Sequence, residues 1–135
     1  MTSKLIYKGG LRCEATHTNS GTVIETDAPP DNKGKGERFS PTDLLATSLA
    51  ACMVTIMGIA ARTHDINIDG VECDIIKIMV PEPRRVGEIQ VAIHFPKTIT
   101  YTDKEKTILE RAAMTCPVIE SLHPDLKKTI TFDWL

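Results

Sequence analysis

The chain has 135 residues, 41% of them hydrophobic, and a formal charge of −2. That length supports one ordinary domain, residues 1–135, burying about two-thirds of the surface its unfolded form exposes. Charges of both signs run along the sequence without a basic stripe or acidic tail, which excludes the electrostatic footprint of a nucleic-acid, anionic-membrane or polycationic partner.

Residues 1–10 turn into a glycine pair before an apolar region develops, so no secretory signal is expected and the expected address is cytoplasmic. From Lys4 to Ala28 the chain is rich in Thr, Val and Ile and is broken at Gly9-Gly10 and Asn19-Ser20-Gly21, which predicts two or three short antiparallel strands. The stretch Pro29–Gly36 is polar and glycine-punctuated, and reads as an ordered loop or a mobile flap.

A long helix follows. Ser40 is its expected N-cap, Pro41 its first residue, and Asp43 stands three past the cap. From Leu44 to about Arg62 most residues are apolar or small around the whole circumference, which predicts a helix enclosed by protein. Its longest apolar run, Leu49–Ala61, is shorter than the roughly 20 residues of a membrane span, so no membrane is expected as a partner.

Two runs rich in β-branched residues, Ile68–Val80 and Val86–Phe95, predict a hairpin of long strands. Thr102 with Glu105 starts an amphipathic helix that ends near Thr115. Pro117 opens a short helical turn to about Leu122, and a last strand covers Lys128–Trp134. The order has no repeated βαβ unit and predicts an α+β fold with an antiparallel sheet around the long helix.

Four cysteines in a reducing compartment are expected as thiols. There is no C-x-x-C pair and no His at zinc-finger spacing, so no metal site is expected. Cys13 and Cys73 have carboxylate neighbours, which raise a thiol pKa, and both read as structural. Cys52 reads either as a small hydrophobe filling a gap in the long helix or as a reactive thiol. Cys116 precedes Pro117 at the start of a helix, where unpaired N–H groups favour a thiolate, so on electrostatics alone it is the more acidic of the two.

Cys52 lies beyond the first turn of its helix, so its activator should be an arginine held by a carboxylate. Arg38 and Asp43 are nearest in sequence, with Arg12 a further possibility; an exposed Arg38 and a capping Asp43 are the ordinary alternatives. Asp43 and Cys52 are nine residues apart, about 13 Å along one helix, so such a contact would need a second copy across a two-fold axis. Met53, Met57, Met79 and Met114 could line an apolar pocket or simply fill the core, with Met53, Met57 and Met114 the candidates for binding substrate.

The segment Phe39–Cys52, FSPTDLLATSLAAC, resembles the central-helix motif of the OsmC/Ohr family of organic hydroperoxide reductases, and Ala113–Val118, AMTCPV, resembles that family's second-cysteine motif. The resemblance implies an OsmC-like α+β fold assembled as an intertwined homodimer. It also implies a thiol peroxidase in which Cys52 forms a sulfenic acid on an organic hydroperoxide and Cys116 resolves it as a disulfide. An external dithiol, lipoyl-type among the possibilities, would reduce that bond, with no bound cofactor. Thr42 stands where the family has a glutamate, leaving Asp43 the closest carboxylate, which suggests a divergent, YhfA-like branch. The competing readings on the same fold are a non-catalytic module for a small apolar ligand and a thiol redox sensor.

Overall fold

The structure is a computed structural model that describes residues 1–135. The elements run β1 (Ser3–Gly9), β2 (Arg12–His17), β3 (Val23–Asp27), a 3-10 turn (Pro30–Asn32), α1 (Pro41–Thr63), β4 (Glu72–Val80), β5 (Arg85–His94), α2 (Asp103–Ala113), α3 (Pro117–Ser121) and β6 (Lys127–Asp133). The chain forms two compact units, Met1–Leu45 and Ala46–Leu135.

The N-terminal unit is an antiparallel sheet in the order β1-β2-β3. Leu5 pairs with Ala15 and Ala15 with Ile24, while Tyr7 pairs with Cys13. Because side chains alternate along a strand and cross-strand partners share a side, these five residues occupy one face. That face is apolar, yet Leu5, Tyr7 and Ile24 are half or more exposed. The segment after β3 is folded back on itself: Gly34 N–H donates to the Pro29 carbonyl and Gly36 N–H to that of Ala28. Gly34 lies so close to Ala28 that a Cβ there would collide with its carbonyl, which explains a glycine at that point.

The C-terminal unit holds the core. Its sheet has the order β4-β5-β6, with β4 antiparallel to β5 and β6 parallel to β5. The parallel pair departs from the antiparallel sheet expected. A parallel neighbour needs a long crossover, and the segment carrying α2 and α3 supplies one between β5 and β6. Ile89, Val91 and Ile93 point from the central strand into a cluster that also takes Leu49, Met53 and Met57 of α1 and Leu109 and Ala113 of α2. The largest of these side chains are completely buried, and each contributes roughly 1.5–3 kcal/mol through the apolar surface it removes from water. Just past the C-terminal ends of β5 and β6, Trp134 stacks on Phe95 (3.7 Å between centroids, 16° apart), and its indole N–H donates to Glu110 of α2 at 2.9 Å.

Helix α1 is amphipathic in space where the sequence reads as apolar all round. Ala46, Leu49, Ala50, Met53, Met57 and Ala61 form its buried stripe, while Ser48, Ala51, Thr55 and Ile59 are exposed. The reason is geometric: one sheet layer covers one side of a helix. At 23 residues the helix is longer than its Leu49–Ala61 run, and by length and composition it could cross a membrane. A core helix passes the same test, and the buried stripe of α1 is one wall of this core.

Candidate active site

The C-terminal unit brings Cys52 and Cys116 together. Cys52 follows the buried Leu49 and precedes the buried Met53, so its side chain sits at the margin of the α1 stripe and is partly exposed. Cys116 is placed by the break between α2 and α3. Pro117 cannot continue a helix with a normal hydrogen bond and disfavours helical backbone in the residue before it, so Cys116 is extended (φ −68°, ψ 140°). Leu109, Ala113 and Cys116 are all fully buried, so the sulfur extends the inward stripe of α2 past its end. There it caps α3, accepting the Ile119 N–H at 3.2 Å.

Burial is the largest influence on the Cys116 thiol and pushes its pKa up; the Ile119 amide opposes this, and the neighbouring Cys52 thiol raises it further. The lowering expected of the Cys116 pKa at a helix start is therefore not found; its shift is upward. The helix start does supply an amide donor, but desolvation of a completely enclosed sulfur outweighs it. Cys73 is also raised, first by burial and then by the charge of Asp74, while Cys13 lies in the sheet of the other unit. All four cysteines are free thiols.

Asp43 and Arg38 both lie in the N-terminal unit. Asp43 and Ser40 close a reciprocal cap, with Asp43 N–H donating to Ser40 Oγ at 3.0 Å and Ser40 N–H to Asp43 Oδ2 at 2.9 Å. Arg38 is about half exposed and donates through Nε to Glu25 at 3.1 Å. Arg12 is held more firmly. Its Nε and Nη2 grip the two oxygens of Asp27 at 2.7 and 2.8 Å, and Nη2 also reaches Glu37 at 3.3 Å. Asp27 is buried and accepts the Glu37 N–H as well, so its pKa is lowered, above all by the hydrogen bond from Arg12. Asp27 carries no local signal in the sequence; strand register after the turn at Asn19-Ser20 sets it opposite Arg12.

Met53 and Met57 are wholly buried core side chains, whereas Met114, the C-cap of α2, is 45% exposed. No group of three or more His, Cys, Asp or Glu side chains stands where it could hold a metal ion.

The class of fold is matched by known proteins. Residues 34–131 match the family of OsmC-like proteins. A protein from Psychrobacter arcticus 273-4, named for osmotic stress induction and detoxification response, is 50% identical and superposes with a TM-score of 0.93 over 98% of this chain and 95% of its own. The chain therefore belongs to the OsmC/Ohr family. More remote structures share the fold. An organic hydroperoxide resistance protein OsmC from Legionella pneumophila is 16% identical, with a TM-score of 0.76 over 99% of this chain and 98% of its own. An organic hydroperoxide resistance protein from Vibrio cholerae, with captopril bound in one of its active sites, is 14% identical, with a TM-score of 0.75 over 100% and 93%. No curated protein matches the sequence.

Proposed function

We propose that the protein is a thiol peroxidase that reduces organic hydroperoxides to alcohols in the cytoplasm. The observation that carries this reading is the meeting of Cys52 and Cys116 thiols in one site, with Cys52 partly exposed and Cys116 enclosed beside it. The names of the Legionella and Vibrio relatives, given for organic hydroperoxide resistance, support the substrate class.

The Cys52 thiolate attacks the terminal peroxide oxygen. An S–O bond forms, the O–O bond breaks, and the alkoxide takes a proton and departs as the alcohol. Cys116 then attacks the sulfenic sulfur and water leaves, giving a Cys52–Cys116 disulfide. An external dithiol reduces this bond and is itself oxidised to a disulfide. The raised Cys116 pKa fits the second role, since the second thiol reacts with a sulfur already beside it and does not have to be the first thiolate. For the cation that favours the Cys52 thiolate we propose an arginine of a second copy in a homodimer, and of the candidates Arg12 is the better held, because Asp27 fixes its guanidinium through two bonds. Met114 is the methionine available to line the substrate site.

We also propose a homodimer. Leu5, Tyr7 and Ile24 on one face of the N-terminal sheet and Ile59 on the outer stripe of α1 are exposed apolar side chains, and a second copy would cover them.

The test is steady-state consumption of cumene hydroperoxide with dihydrolipoamide or dithiothreitol. The native protein is expected to turn over and Cys52→Ser to be inactive; equal turnover in the variant sinks the proposal. A redox sensor would instead form one stoichiometric disulfide without turnover, and a binding module would form none.

A further inference from the structure

The two sulfurs of the site differ in access, and this decides the direction in which a disulfide between them can be opened. We infer that the reducing thiol attacks the sulfur of Cys52 and that Cys116 is the leaving group. The inference rests on the reading above that these two cysteines form the bond.

Thiol–disulfide exchange requires the incoming thiolate to approach one sulfur along the line of the bond being broken, while the other sulfur departs with the electron pair. Which sulfur is attacked depends on access and on the stability of the departing thiolate. Cys116 has no exposed surface. It is enclosed by the core cluster that includes Leu109 and Ala113, with Val118 and Ile119 packed against that cluster. Cys52 is partly exposed, on the edge of the α1 stripe. Association of two copies can only subtract exposure, and Cys116 has none to lose. An external thiol therefore meets Cys52.

The surroundings of Cys116 also receive the departing charge. The Ile119 N–H already points at its sulfur at 3.2 Å, with the Pro117 ring fixing the turn that aims it. Burial works in the other direction, because a desolvated thiolate is a poorer leaving group. Access outweighs this. A higher leaving-group pKa slows the exchange by a finite factor, whereas a sulfur that cannot be approached is not attacked.

A bond forms between the reductant sulfur and Cys52 Sγ, and the Cys52–Cys116 bond breaks. The electron pair moves onto Cys116 Sγ, which holds it beside the Ile119 amide and then takes a proton. The second thiol of the dithiol attacks the mixed disulfide, releases Cys52 as thiolate and leaves the reductant as its disulfide. The protein gains two electrons and the dithiol loses two.

The experiment uses a monothiol to stop the sequence halfway. The native protein is oxidised with diamide, which makes the disulfide without any peroxide chemistry. It is then exposed briefly to substoichiometric N-acetylcysteine, quenched in acid, alkylated with N-ethylmaleimide and digested with trypsin. Cys52 falls in the peptide 39–62 and Cys116 in 112–127, so the two sites are read separately by mass. At the shortest quench time the N-acetylcysteine adduct is expected on 39–62 and N-ethylmaleimide on 112–127, by at least about tenfold over the reverse, given the dependence of exchange on access. An adduct on 112–127 at equal or greater yield overturns the inference. Failure of diamide to join the two peptides removes it together with its premise. The expected labelling in a protein that does not turn over hydroperoxide would leave this inference standing while the peroxidase reading falls.

Discussion

Cys116 and Arg12 illustrate how far a residue's chemistry depends on what encloses it. The position of Cys116 before Pro117 is visible in the sequence and correctly implies a sulfur at a helix start, capping the Ile119 amide. Its burial is not visible, because the stripe that encloses it begins on another helix at Leu109. Arg12 carries the same lesson. Arg38 is nearer to the long helix in sequence, but strand register gives Arg12 the better-held guanidinium. If Arg12 is the activating cation, Arg12→Ala is expected to lower kcat/KM for cumene hydroperoxide by about tenfold or more, since an adjacent opposite charge shifts a pKa by roughly one unit or more. Arg38→Ala is expected to stay within about twofold. The opposite order in steady-state kinetics would reassign the role to Arg38.

Among the elements, capping was the most legible signal. Thr102 and Glu105 form the expected capping box, with Glu105 N–H donating to Thr102 Oγ1 at 3.1 Å and Thr102 N–H to Glu105 Oε1 at 2.8 Å. The strands of the C-terminal unit are joined by a feature that sequence spacing does not reveal. His94 on β5 lies between Asp74 on β4 and Asp133 on β6, each 2.9 Å from one ring nitrogen. Those bonds, the one to Asp133 first, raise the His94 pKa above its ordinary value, and Asp133 is lowered chiefly by His94, with Lys97 assisting. A histidine whose folded pKa is raised contributes stability that is complete below its unfolded value, about 6.5, and is lost as pH climbs through the raised folded value. His94→Gln is therefore expected to be less stable than the native protein at pH 5.5, with the gap narrowing towards pH 9, in urea unfolding followed by far-UV circular dichroism. A gap independent of pH would mean that His94 is not charged in the fold.

At the scale of the whole molecule, the N-terminal unit has almost no interior of its own. Its buried residues are Asp27 and Ser40, both polar, while Leu5, Ile6, Tyr7, Val23 and Ile24 stand exposed. A three-stranded sheet with an uncovered apolar face needs a partner layer. The proposed dimer predicts a solution mass of about twice the chain's 14.9 kDa by light scattering. Ile24→Lys, at a site exposed in the single chain, is expected to shift that mass towards the monomer. A native protein that remains monomeric at high micromolar concentration would remove the dimer.

The order of the elements, the start of each long helix and the two cysteine motifs that mark the family were all legible along the chain. These depend on local chemistry: a cap needs only its neighbours, a proline interrupts the chain where it stands, and periodicity is carried within one segment. The tertiary structure alone decided that β6 runs parallel to β5, that α1 buries one stripe, that Asp27 grips Arg12, and that Cys116 is enclosed while Cys52 is not. Each of these depends on residues far apart in the chain meeting in space, and on the water their packing removes.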